Sequence, residues 1–174
     1  MKRWIAPRWT LNNVFLLQPE MVLQQGYRAV IVDLDNTLVA WNCYEPTPEM
    51  LAWVQAMKDA GIAVYVLSNN TNARVQRVAQ PAGVAYQANA LKPRRKGFDA
   101  IVRDANLPRE QILVIGDQVI TDIIGANRSG LDSVLVKPIA QHDNVYTWVN
   151  RSIERLLLKT MGIDRRGDWG NTLD

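Results

Sequence analysis

Two carboxylates, Asp33 and Asp35, stand two positions apart directly after the apolar run Ala29–Val32, where a buried strand would emerge into solvent. Residues i and i+2 of a strand point to the same side, so both acids can reach one small volume once the chain bends away. That pairing suits phosphoryl transfer. One carboxylate can attack phosphorus and form an aspartyl-phosphate, while the other protonates the departing oxygen. Asparagine can do neither job. Asn36 and Thr37, next in the run DLDNTL, supply turn chemistry and further polar groups.

A DxD pair alone is equally the mark of a surface turn, because Asp and Asn are favoured there. Three further polar termini change the balance. Ser68 closes the apolar run 64–67 and is followed by Asn69 and Asn70. Lys92 stands in ALKP, between a short strand expected around 84–86 and a helix expected from Gly97. Gly116 and Asp117 close the run 112–115, and Asp122 follows five positions later. The order Asp-x-Asp, Ser, Lys, Gly-Asp-x4-Asp brings a nucleophile, a hydroxyl, a cation and more carboxylates to the ends of successive strands. Carboxylates gathered in this way call for a hard divalent cation held by oxygen.

The elements that must position these residues alternate along the chain. A strand is expected over 28–34, then a helix over 47–60 with Pro48 near its start and Gly61 beyond its end. A strand over 63–67 precedes a helix from Asn72 toward Ala79, stopped by Pro81 and Gly83. A helix over 97–105, a strand over 111–115, a helix over 121–129 closed by Gly130 and a strand over 133–136 complete the series. Such alternation predicts an α/β fold, a parallel sheet with right-handed crossovers flanked by helices. Ligands of such sheets gather beyond the carboxyl ends of the strands, where Asp33, Ser68 and Asp117 are expected.

A chain of 174 residues that is 48% hydrophobic can bury one good core, and no repeat, linker or low-complexity segment divides it. The expectation is one domain over 1–174, its motif-bearing core at about 28–137, with helical flanks at both ends. Net charge is only +3, although a pI of about 9.2 hints at a mildly anionic partner. Cys43 is the sole cysteine, which excludes an internal disulfide framework and fits a reducing compartment. Glu49 stands six positions after it, so the Cys-x5-Arg arrangement of cysteine phosphatases is absent. The lone His142 has no ligand cluster around it, and neither G-x-x-x-x-G-K-[ST] nor G-x-G-x-x-G occurs. The start MKRWIAPRWT has no apolar stretch behind it, and no run of 18 apolar residues is present. A cytoplasmic protein, or one peripheral to a membrane, is expected.

In its four motifs the chain resembles the haloacid dehalogenase (HAD) superfamily, which they match at Asp33 and Asp35, Ser68, Lys92, and Asp117 with Asp122. The wording DNTLVAW, SNN, ALKP and GDQxxTD is similar to that of the YqeG branch, which includes phosphatidylglycerophosphate phosphatases. The resemblance implies a Rossmann-like sheet and a Mg2+-dependent phosphomonoesterase. In that scheme Asp33 is the nucleophile and Asp35 the acid and then the base. Mg2+ is held by Asp33, the backbone carbonyl of Asp35 and Asp117. Ser68, the backbone amide of Asn69 and Lys92 bind phosphate, Thr37 gives support, and Asp122 either supports the metal shell or orients Lys92. Halide removal is disfavoured, because its catalysts lack the second aspartate. The intervals between motifs leave no room for a cap domain, so a bulky phosphate monoester, such as an anionic phospholipid, is as admissible as a small metabolite.

The flanks allow two readings each. Residues 19–25 look like a short helix covering the sheet. Residues 1–10, with Trp4 and Trp9 among Lys2, Arg3 and Arg8, either touch a membrane or fray with their tryptophans packed on the domain. Val145, Trp148, Val149, Ile153, Leu156, Leu157 and Met161 recur at helical spacing, with Arg151, Arg155 and Lys159 on another face. A docked helix with solvated cations is the ordinary explanation, contact with anionic lipid the sharper one. Arg94, Arg95 and Lys96 are candidates for recruiting an anionic substrate, and Trp41, Tyr44 and Trp53 either line the site's mouth or pack in the core. Two other classes stay open. A phospho-accepting signalling domain would carry its acceptor on a later strand than the first core strand that DxD ends here. An inactive scaffold would bind RNA or a protein through the basic flanks, against which the presence of all four motifs counts. Nucleic acid is otherwise not an expected partner, and nothing specifies the oligomeric state.

Overall fold

Apolar runs of four or five residues bounded by polar ones are too short for a stable helix and satisfy their backbone amides by pairing with one another, buried on both faces. In the computed structural model, which describes residues 4–140, 156–164 and 166–173, they do so. The strands are β1 (Trp9–Leu11), β2 (Ala29–Val32), β3 (Ala63–Leu67), β4 (Ala85–Gln87), β5 (Ile112–Gly116) and β6 (Asp132–Val136). They form one parallel sheet in the order β1-β6-β5-β2-β3-β4. From β2 the chain runs outward through β3 to β4, then returns to β5 on the other side of β2. The reversal of strand order therefore lies between β2 and β5, where open α/β sheets bind ligands. Val32 is in register with Val66 of β3 and with Ile115 of β5, so the three strands end level.

Strand side chains alternate between the two faces of the sheet, and the helices divide between those faces, three on one and two on the other. Val30, Val32, Val64, Val66, Leu113 and Ile115 meet Val22, Met50, Val54, Met57, Val75 and Val78, from helices α1 (Pro19–Gln24), α2 (Pro48–Asp59) and α3 (Asn72–Ala79). On the opposite face Ala29, Ile31, Ile112 and Val114 meet Phe98, Ile101 and Ala126, from α4 (Arg95–Ala105) and α5 (Ile124–Arg128). The ends of α2 follow local chemistry. Thr47 Oγ1 accepts from Met50 N at 3.2 Å, Pro48 occupies the first turn, and Gly61 beyond the end has φ +77°. Trp53 packs in the core and its Nε1 donates to Leu17 O at 2.9 Å.

Three expectations are corrected. Residues 8–11 are not a frayed terminus, because Trp9–Leu11 pair with β6 as an edge strand. The DxD pair therefore ends the second strand in chain order. Three residues with charge on one side are too short to show alternation, which is why the strand escapes notice. Trp9 lies edge-on against Tyr27 with the Arg8 guanidinium 4.5 Å from its ring, whereas Trp4 is exposed. Next, the helix expected over 121–129 is only α5, preceded by a wide π-type turn at Val119–Ile123. Last, in the helical stretch 156–161 Leu157 and Met161 pack on the core as expected, but Leu156 is exposed and Leu158 is buried in its place. His142, Val145, Trp148, Val149, Ile153, Arg151 and Arg155 lie outside the described residues, as do Lys2 and Arg3.

Residues 168–173 run beside β1: Asn12 N donates to Gly170 O at 2.9 Å, and Thr10 Oγ1 to Trp169 O at 2.9 Å. Only a loop, α2 and β3 intervene between Asp35 and Ser68, and only α3 and β4 between Ser68 and Lys92, so no cap is inserted there. No helix among the described residues is long and apolar enough to cross a membrane. Phe98 joins α4 to α5, its ring 2.6 Å from where a Cβ on Gly125 would sit. Phe98→Ala is expected to cost about 3–5 kcal/mol of unfolding free energy. Thr47→Ala, which removes only a helix cap, should cost about 1 kcal/mol. Urea denaturation of the two variants checks the ranking.

Candidate active site

The level ends of β2, β3 and β5 bring out Asp33, Ser68 and Asp117 side by side, and Asp33 N donates to Ile115 O at 2.9 Å. Asn36 makes the turn beyond Asp35 at φ +64°, a backbone conformation that Asn tolerates better than most residues. Lys92 arrives on the loop between β4 and α4. Its Nζ donates to Asp33 Oδ1 and to Asp122 Oδ1, each at 2.6 Å, with 4% of the lysine side chain exposed. The loop is held by a side chain clamped onto its backbone. Lys92 N donates to Asn69 Oδ1 at 2.6 Å, and Asn69 Nδ2 donates to Lys92 O at 3.1 Å. Asp122 is held in turn, since its Oδ2 accepts from Gln118 N at 3.1 Å across the wide turn. Gly116 must be bare: a Cβ there would lie 2.3 Å from the Asp122 carboxylate.

The charges answer to this packing. Burial is the chief influence on Asp33; Lys92 opposes it, the Asp122 charge reinforces it, and the carboxyl is pushed up from 3.8 to about 7. Burial pulls Lys92 the other way, but Asp122 and Asp33 outweigh it and raise the ammonium above its ordinary 10.5. The lysine thus stays charged throughout the neutral range. Asp33, Asp117 and Asp122 each offer a carboxylate oxygen, all within 4.8 Å of one another. Because both Asp122 oxygens are engaged, by Lys92 and by Gln118 N, its bonds tie it to the lysine. Thr37 Oγ1 donates to Asp117 Oδ1 at 3.4 Å. The donor set is all oxygen, which suits a hard divalent cation at Asp33 and Asp117.

A cleft of about 300 Å³ is lined by Asp33, Asp35, Ser68, Asn69, Lys92 and three residues not expected from sequence, Asn70, Gln118 and Thr121. All three stand inside motifs already singled out, so adjacency was the available signal. Ser68 is buried, and its Oγ accepts from Asn70 N at 3.1 Å. Asp35 has a partner that sequence reasoning missed. Arg74, buried on α3, donates to Asp35 Oδ1 through Nε at 3.2 Å and Nη2 at 2.8 Å. Asn70 Nδ2 donates to Asp35 Oδ2 at 3.1 Å. Arg74 stands four residues before buried Val78, so an arginine on the apolar stripe of a helix was the clue. Tyr44 is exposed with its ring 5.0 Å from that guanidinium, Trp41 is half-buried, and Trp53 belongs to the core. Arg94, Arg95 and Lys96 are exposed beside the site, Arg95 facing Asp99 at 3.7 Å. A larger cavity of about 760 Å³, beside Trp4, Arg8 and Asp132, lies at the opposite end of the sheet and contains none of these groups.

Comparison with known proteins gives concordant results. A family model for haloacid dehalogenase-like hydrolases matches residues 13–130. The chain is 38% identical to the probable phosphatase YqeG of Bacillus subtilis (strain 168) over 161 residues, 92% of this chain and 94% of that one. It is 20% identical over 166 residues to phosphatidylglycerophosphate phosphatase 1, chloroplastic/mitochondrial, of Arabidopsis thaliana; these cover 90% of this chain but only about half, 47%, of that protein. Among solved structures, the cobalt-bound deoxy-D-mannose-octulosonate 8-phosphate phosphatase of Haemophilus influenzae shares the fold, with a TM-score of 0.52 and 17% identity over 79% of this chain and 91% of that one.

The raised Asp33 carboxyl has a measurable consequence. Unfolding releases it to ionise at its ordinary 3.8, so the folded state binds the extra proton between about 3.8 and 7. Its contribution to stability is full below that window and is lost as pH rises through it. Chemical denaturation in EDTA at fixed ionic strength should show this decline, and Asp33→Asn should flatten it. Gly116→Ala should displace Asp122 and cost about 1–3 kcal/mol, read by the same method.

Proposed function

The chain belongs to the haloacid dehalogenase-like hydrolases and is a phosphatase, and we propose that it is a magnesium-dependent phosphomonoesterase working through an aspartyl-phosphate on Asp33. The observation that carries this reading is the buried Lys92 ammonium fixed between Asp33 and Asp122 in the wall of a cleft that also holds Asp35 and Ser68. A magnesium ion held by Asp33, Asp117 and the backbone carbonyl of Asp35 would offset the negative charge that keeps a carboxylate from a phosphate.

The residues divide the work as follows. An oxygen of Asp33 forms a bond to phosphorus as the ester P–O bond breaks, and Asp35 delivers a proton to the leaving oxygen. Asp35 then takes a proton from water, whose oxygen attacks phosphorus; phosphate leaves and Asp33 is restored. Ser68, the backbone amide of Asn69 and Lys92 hold the transferring oxygens. Asp122 aims Lys92 and Thr37 steadies Asp117, acting through the groups they hold. The substrate we propose is a phosphate monoester large enough to make its own contacts outside an uncapped cleft. The Arabidopsis relative's name and the exposed cations Arg94, Arg95 and Lys96 support including an anionic phospholipid monoester in that class.

Phosphate release from aryl, alkyl, sugar and phospholipid monoesters, with magnesium or EDTA, tests the proposal. Turnover should require magnesium and vanish in Asp33→Asn while the circular dichroism spectrum is kept; appreciable activity in that variant would reject the covalent route. Asp35→Asn should lose about 10²- to 10⁴-fold on alkyl esters and less on aryl esters, whose leaving groups need little protonation. Independently of activity, magnesium should raise the melting temperature of the wild type but not of Asp117→Asn. Vesicles of phosphatidylglycerophosphate turned over no better than a soluble sugar phosphate would remove the lipid from the class.

A further inference from the structure

Arg74 stands at the third position of α3, beside Val75 and four residues before Val78, both fully buried. Only 7% of its side chain is exposed. A guanidinium taken out of water has five N–H donors to satisfy and is tolerated only where acceptors converge on it. Here they come from one segment. Beyond the two bonds to Asp35 Oδ1, Nη2 donates to Ala40 O at 3.3 Å and to Trp41 O at 3.4 Å, and Nη1 donates to Cys43 O. The face of Tyr44 closes over the group. Arg74 does not line the cleft, so it is not placed to bind a substrate phosphate.

From this geometry we infer that Arg74 is a positioning residue: it locks Asp35 Oδ1 and the loop over 40–44 into one unit and leaves Oδ2 as the oxygen that meets the leaving group. The inference rests on the acid role given to Asp35 above. The two oxygens differ in their partners. Oδ1 is held by a buried fork that has nothing to exchange with, whereas Oδ2 is met by the neutral amide of Asn70, an exposed residue on the cleft wall. A leaving-group oxygen can displace Asn70 without stranding a buried charge. It cannot displace Arg74. Orientation of this kind is costly to lose, since a misplacement of about 1 Å can reduce a rate by about 10². Lysine cannot replace the arginine, because a single ammonium lacks the planar fork that reaches a carboxylate and three carbonyls together.

The test compares Arg74→Lys, Arg74→Met, Asp35→Asn and the Arg74→Lys/Asp35→Asn double variant on p-nitrophenyl phosphate, phenyl phosphate and glycerol phosphate. In Arg74→Lys, kcat on glycerol phosphate should fall about 10- to 10²-fold with KM little changed, and the loss should shrink toward the aryl esters. Added to Asp35→Asn, the substitution should cost nothing further, because both act on one step. Equal losses on all three esters, additive losses, a rise in KM alone or unchanged kinetics would each overturn the inference. Arg74→Met reads the same dependence if it folds. Failure of Arg74→Lys to fold would make the residue purely structural and also overturn it. The underlying mechanism is judged separately: a leaving-group-selective loss in Asp35→Asn without one in Arg74→Lys rejects the positioning role alone. A uniform loss in Asp35→Asn rejects the acid role and the inference with it.

Discussion

Everything at the carboxyl end of this sheet is arranged around one buried ammonium. A parallel sheet whose strands end level, with acids following two of them, concentrates like charges, and in a buried volume such charges repel with little screening. Lys92 stands between two of those acids at hydrogen-bonding distance. The ammonium could not be left there alone, since a buried ion is tolerated only with its bonds made. The nearby anomalies of sequence follow from that requirement. Asn69 clamps the backbone that carries the lysine, the wide turn at Val119–Ile123 lets Gln118 N reach Asp122, and Gly116 lacks a side chain because the Asp122 carboxylate fills that space.

The parts of this arrangement that could be read in the sequence are those in which local pattern and burial agree. The runs Ala29–Val32 and Ala63–Leu67 are too apolar to be anything but buried strands, and the polar residue closing such a run must emerge at its end. That logic reaches Asp33, Ser68 and Asp117 without any knowledge of tertiary contacts. Helix α3 has the expected bounds, Asn72–Ala79, because capping and proline chemistry act within a few residues. What resists this reading is decided far along the chain. β1 is a strand only because β6 is there to pair with it, and the phase of the stretch 156–161 follows from what Leu158 packs against. The bonds of Asp122 to Lys92 and to Gln118 N likewise become visible only in the folded chain. Arg74 is separated from Asp35 by 39 positions, so no local pattern joins them.

The loop after Asp35 occupies the place where a larger insertion could have enclosed the cleft. Instead it is drawn down by its own carbonyls onto the Arg74 guanidinium, and the mouth stays open above a polar wall of Asn70, Gln118 and Thr121. The cleft, about 300 Å³, has Asp33, Asp35, Ser68 and Lys92 on its wall. The result is a charge-balanced floor, held by paired side chains, beneath an open mouth.

The pairing of β1 with β6 also bears on how the chain is made. Among the described strands the earliest, β1, pairs with the latest, β6, and Arg8 is joined to Asp132 across 124 positions. While the chain is growing, Trp9–Leu11 have no edge to add to. Asp33, Ser68 and Asp117 follow strands that precede β6 in the chain, so β2, β3 and β5 can associate before β6 appears. Trp9–Leu11 can therefore close this edge of the sheet only after β6 has been made, a pairing of high sequence separation that costs loop-closure entropy.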